Sequence, residues 1–124
     1  MSRGLLVRVV LLAALLGSSC TPNCKSAGCF SGILVELAQR RLADAEAITV
    51  CLDDKCATVP ITTASVQMML PDVKSSGPHE TTIDLSSRSG ALTRLFSGPL
   101  EYTRQQPNGK GCQPVCYFAR YADQ

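Results

Sequence analysis

The sequence predicts an all-β sandwich, and two observations carry that reading. Apolar and polar residues alternate in seven or eight short stretches, with turn-rich segments between them at intervals of about eight to twelve residues, as in sandwich strands. Six cysteines downstream of an export signal make an even set, and small exported domains use such sets as disulfide staples. No internal repeat and no second domain is visible, and residues 20–124 suffice for one modest core.

The chain opens with Arg3 and Arg8, then the apolar run Val9 to Leu16, then Gly17-Ser18-Ser19-Cys20. A positive start, a short apolar run and small residues before a cut site make an export signal over residues 1–19. The run is eight residues long, whereas a spanning helix needs about 20. The segment from Leu16 to Cys20 resembles the lipobox of bacterial lipoproteins, with Leu16 one place further from the cysteine than that pattern has it. The resemblance implies that Cys20 is lipidated and begins the mature chain. Cleavage by the ordinary signal peptidase is the other reading, and it releases a soluble domain. The cysteine count favours lipidation: of seven cysteines, setting Cys20 aside leaves six for pairing.

The net charge of +2 belongs to the signal, and the mature chain carries ten basic and ten acidic residues. Such a balance supplies no general attraction to nucleic acid or to a bare anionic bilayer.

Residues 20–28 read as a short polar tether, and residues 29–124 as the sandwich domain. Ile33, Val35 and Leu37 share one face of a strand by the two-residue period. Residues 38–46 have helical propensity and read as a loop or one helical turn; a single helix over 33–47 is the rival. Ile48, Val50 and Leu52 alternate again, Asp53-Asp54 is turn chemistry, and Cys56 to Val59 returns as a hairpin partner. Ser65 to Leu70 is a short apolar piece, and Asp72 to His79 reads as an exposed loop. Thr81 to Leu85 and Ala91 to Phe96 form a strand pair. Leu100 to Arg104 reads as a separate strand behind Gly98-Pro99, and Val115 to Ala122 as the last one.

In order, the chain shows Gly28-Cys29 with Ser31-Gly32-Ile33, then Val50-Cys51-Leu52-Asp53-Asp54-Lys55-Cys56. Gln106-Pro107-Asn108-Gly109 follows, with Cys112-Gln113-Pro114-Val115-Cys116-Tyr117. This series resembles a group of small actinobacterial envelope lipoproteins of unknown function. The resemblance implies an immunoglobulin-like β-sandwich at the cell surface, and no activity.

Several side chains are candidates for chemistry. The cysteine spacings are C-x4-C, C-x4-C and C-x3-C; none is the C-x2-C pair of zinc ribbons or thioredoxin-like sites, so disulfides are expected rather than metal or redox chemistry. His79 is the lone histidine and stands in a polar loop without a G-x-S-x-G elbow. Asp53-Asp54 as a carboxylate pair is explained by the turn. Asp44 and Glu46 lack a calcium-loop pattern. Tyr102, Tyr117, Phe118 and Tyr121 either form a partner surface or pack on the core and its edge, and packing is the simpler account.

Cys51 and Cys56 should pair across the hairpin. Cys24 and Cys29 should be tied to Cys112 and Cys116, since the longer loops gain more in the chain-entropy model; which of the two Cys29 takes stays open. The expected function is a non-catalytic exported surface lipoprotein, an envelope interaction or structural module on the outer face of the cell membrane. It would be secreted if Cys20 is not processed. No cofactor and no nucleic acid is expected; the partners are the membrane, through the lipid, and another envelope protein. The alternative is an exported small-ligand-binding protein or protease inhibitor using the 72–80 loop.

Overall fold

The computed structural model describes residues 24–124; the export signal, Cys20 and residues 21–23 lie outside the described residues. The described residues are all-β, with strands β1 (Gly32–Glu36), β2 (Ala45–Leu52), β3 (Lys55–Pro60), β4 (Ser65–Met69), β5 (Gly77–Ser87), β6 (Leu92–Gln105) and β7 (Cys116–Ala122). One 3-10 turn, Gln39–Arg41, follows β1. The expected strand-then-turn reading therefore holds over 33–47, and the single-helix rival fails: Ile33 and Val35 are fully buried on the strand period while Glu36 is exposed.

Hydrogen bonding joins the strands in the order β3-β2-β5-β6-β7-β1-β4. Every pairing is antiparallel except β1 with β7. The outermost strands of a flat seven-stranded sheet stand about 29 Å apart, from a spacing of about 4.8 Å. Here those strands are β3 and β4, joined only by residues 61–64. Five Cα-to-Cα steps reach at most about 19 Å. The sheet therefore folds over, and its inner face encloses one core. Ile48, Val50 and Leu52 of β2 and Ile83 and Leu85 of β5 meet Ile33 and Val35 of β1 and Val66 and Met68 of β4.

β6 makes the fold-over possible. Leu92 to Tyr102 pairs with β5, whereas only Thr103 to Gln105 pairs with β7. A bulge opposite Ile83 and Asp84 leaves Leu95 as the extra residue, and bulges bend and twist a strand. The sequence reading broke this strand at Gly98-Pro99; the structure corrects it to a single strand of 14 residues. Gly98 takes a φ of 146°, and over 92–102 the other side of β6 has no ladder partner. A proline on such an edge removes no ladder bond.

β5 likewise begins at Gly77, so Gly77 to Glu80 are strand rather than loop, and Val73 of the preceding loop is buried. The register places the chain's turns at two ends. Gly32 opposite Met69 and Gly77 opposite Tyr102 put residues 24–31, 70–76 and 106–115 at one end, with the β2–β3 turn. Residues 37–44, 61–64, 88–91 and 123–124 lie at the other.

Candidate functional site

The six cysteines among the described residues pair in three bonds. Cys51 and Cys56 face each other in the β2–β3 register, as the two-residue turn requires, with Cα atoms 4.0 Å apart. Asp53 in that turn has a φ of 54°, the left-handed conformation that tight hairpins demand and Asp tolerates. Cys24 bonds Cys112 and Cys29 bonds Cys116, with Cα separations of 5.5 and 6.1 Å. The pairing that the spacing left open is thus parallel: first with first, second with second.

These two long-range bonds gather the near end of the fold. Asn108 completes the attachment. It is 8% exposed, and its amide donates to the carbonyls of Ala27 at 2.8 Å and Gln113 at 2.7 Å. Its Oδ1 accepts from the Ala27 N–H at 2.9 Å. Residues 24–28, read as part of a tether, are in fact held twice to the 106–113 loop. In the sequence Asn108 stands out only as part of the run Gln106-Pro107-Asn108-Gly109. Its role depends on a partner 81 positions away, and no local pattern signals that.

Beside this clamp lies an open groove of about 360 Å³, lined by Phe30, Ser31, Met69, Pro71, Val73, Lys74, Val115 and Tyr117 with the Cys29–Cys116 bond. Its lining is mainly apolar, and Lys74 is its one charged side chain. The Ser31 hydroxyl is already engaged, accepting from the Tyr117 N–H at 3.1 Å. Met69 at the rim is 70% exposed. A second, smaller cleft of about 50 Å³ adjoins it between the β2–β3 hairpin and Leu70 to Asp72, where Lys55 Nζ lies 3.3 Å from Asp72.

The remaining candidates disperse. His79 Nε2 lies 2.9 Å from the Ser75 carbonyl and 3.3 Å from its hydroxyl. A nitrogen that close to a carbonyl carries the proton, so it donates there and is not presented to Ser75 Oγ as a base. The His79 ring stands edge-on to Tyr102 at 5.3 Å. Tyr102 is fully buried. Its hydroxyl is 3.2 Å from Thr81 Oγ1, which donates to the His79 carbonyl at 3.0 Å; Tyr102 is then the donor of the pair. Burial raises the Tyr102 hydroxyl above its ordinary pKa, with the Thr81 hydrogen bond opposing.

Of the four aromatics, only Tyr102 is in the deep core. Tyr117 and Tyr121 half-cover it, and Phe118 packs edge-on against Phe30 at 5.3 Å. Asp53 and Asp54 are exposed on their turn. Among the described residues no three His, Cys, Asp or Glu side chains converge as metal ligands would.

A comparison with family models, with curated proteins and with solved structures finds no match in any of the three.

Proposed function

We propose that the chain is an exported, lipid-anchored, non-catalytic module of a cell envelope, resembling the small actinobacterial envelope lipoproteins in an immunoglobulin-like arrangement of its strands. One observation supports the reading most. Cys24, Cys29, Cys51, Cys56, Cys112 and Cys116 pair entirely among themselves. Cys20 is then the odd one of seven, and it stands directly behind the apolar run at the place where a lipidated cysteine belongs. Three disulfides suit an oxidising compartment. Stable anchoring needs more than one acyl chain, and bacterial lipoproteins as a class carry more than one.

The test is fractionation of an expressing bacterium together with intact mass of the mature protein. Wild type should sit in the membrane fraction with the added mass of acyl chains. Cys20→Ser should move to the medium or stall as the precursor. A variant that still fractionates with membranes at mature size overturns the reading.

A further inference from the structure

The geometry points to the near end of the fold, with its apolar groove, lying against an anionic lipid surface, so that the opposite end is the one presented outward. The inference rests on the lipid anchor at Cys20 and goes beyond it by assigning an orientation and a contact face. Cys24 follows Cys20 by four residues, a stretch that reaches at most about 14 Å. Cys24 does not begin a free linker. It is bonded to Cys112, and Ala27 is held by Asn108. The anchor point is therefore tied to the end that carries residues 70–76 and 106–115, and the domain cannot turn that end away from the bilayer.

The chemistry of the same end fits the occupant. All four lysines of the chain, Lys25, Lys55, Lys74 and Lys110, lie there. Of these four lysines, Lys55 is the one with an ion-pair partner among the described residues, Asp72. Asp53 and Asp54 occupy the hairpin turn at this end too, so the face as a whole is mixed; at the groove itself the one charge is Lys74. An apolar groove with an exposed methionine at its rim and Lys74 in its lining suits a headgroup layer, where a lysine stem lies along apolar surface and the ammonium meets phosphate. The far end carries Arg40, Arg41 and Arg88 instead, with Arg41 bound to Asp123.

The two large apolar side chains most exposed among the described residues mark the two ends. Met69, 70% exposed, is beside the groove; Leu92, 74% exposed, follows the 88–91 turn at the far end. The chain contains no tryptophan, so Met69→Trp and Leu92→Trp each give a single reporter at a surface position. The purified, acylated full-length mature protein is placed in vesicles of phosphatidylglycerol and phosphatidylcholine with brominated acyl chains. Met69→Trp should shift its emission to the blue and lose most of its intensity. Leu92→Trp should do neither, and Lys74→Gln with Lys110→Gln should weaken the Met69→Trp quenching. Quenching of Leu92→Trp at least equal to that of Met69→Trp overturns the orientation while leaving the anchor intact. Quenching of neither also overturns it, and concentration-dependent dimerisation in sedimentation that Met69→Asp abolishes would then assign the groove to a second copy. A mature mass without acyl chains overturns the anchor reading itself, and this inference with it.

Discussion

The Tyr121 hydroxyl donates to the Leu95 carbonyl at 2.8 Å, across the gap where β6 and β7 part company. Leu95 is the residue that the β5–β6 bulge leaves without a partner, so a side chain satisfies what the ladder cannot. The Tyr121 ring also packs on Phe96 at 5.3 Å. Tyr121→Phe keeps that packing and removes the hydrogen bond. It should cost about 1 kcal/mol in a urea titration, and Tyr121→Ala should cost more because the ring contact goes too.

The two long staples should be strongly non-additive. Each alone closes a loop of nearly the whole domain, 88 and 87 residues, worth about 4–5 kcal/mol in the chain-entropy model. Once one is formed, the other closes only a ring of about ten residues, worth about 2–3 kcal/mol. Cys24→Ala with Cys112→Ala, or Cys29→Ala with Cys116→Ala, should therefore cost the smaller amount. Removing both bonds should cost the larger amount in addition. Equal and additive losses in denaturant would contradict the nested-loop account.

Gly32 should not accept alanine. Its backbone conformation is ordinary, but an added Cβ would lie 1.9 Å from the Met68 carbonyl oxygen. β1 and β4 would have to separate, at a cost of about 3 kcal/mol or more as over-packing against rigid backbone. Amide exchange should show β4 opening first, with the β2–β3 hairpin still protected. Uniform protection in Gly32→Ala would refute this.

The C-terminus supplies a pH dependence. Burial by itself would raise the Asp123 carboxyl, but the Arg41 hydrogen bond, the Ala38 N–H and the charges of Arg41 and Arg40 outweigh it and hold the group below the ordinary carboxylate value. Arg41 reaches it with two donors, at 3.0 and 3.3 Å. A depressed carboxyl contributes its full stability above the unfolded-state pKa and loses it as pH falls through the folded-state pKa. Asp123→Asn should therefore cost about 1 kcal/mol at neutral pH, a partly exposed pair being screened. The gap to wild type should close in acid, below the ordinary carboxylate range. A gap that stays constant through that range would show that Asp123 does not titrate as this pair requires.

The sequence alone determined whatever depends on neighbours in the chain. The alternation of Ile33, Val35 and Leu37, and of Ile48, Val50 and Leu52, named six residues that are buried. Asp53-Asp54 placed the turn, and the turn placed Cys51 opposite Cys56. The even cysteine set and loop-closure entropy pointed from the N-terminal pair to the C-terminal pair.

Tertiary structure decided the rest, because it turns on approaches between distant segments. The four residues between Pro60 and Ser65 join the two outermost strands, and only the full strand order shows that the sheet must fold over. Gly98-Pro99 looked like a break because local propensity disfavours both residues in a strand. The one-sided pairing of β6 removes the penalty. The choice between Cys112 and Cys116 for Cys29 had no local signal, since the two loops differ by a few residues in some ninety and their entropies are nearly equal. The groove and the Asn108 clamp exist only where residues 27–31, 69–74 and 108–117 meet. A side chain's burial there is set by partners that the fold, and not the neighbouring sequence, brings to it.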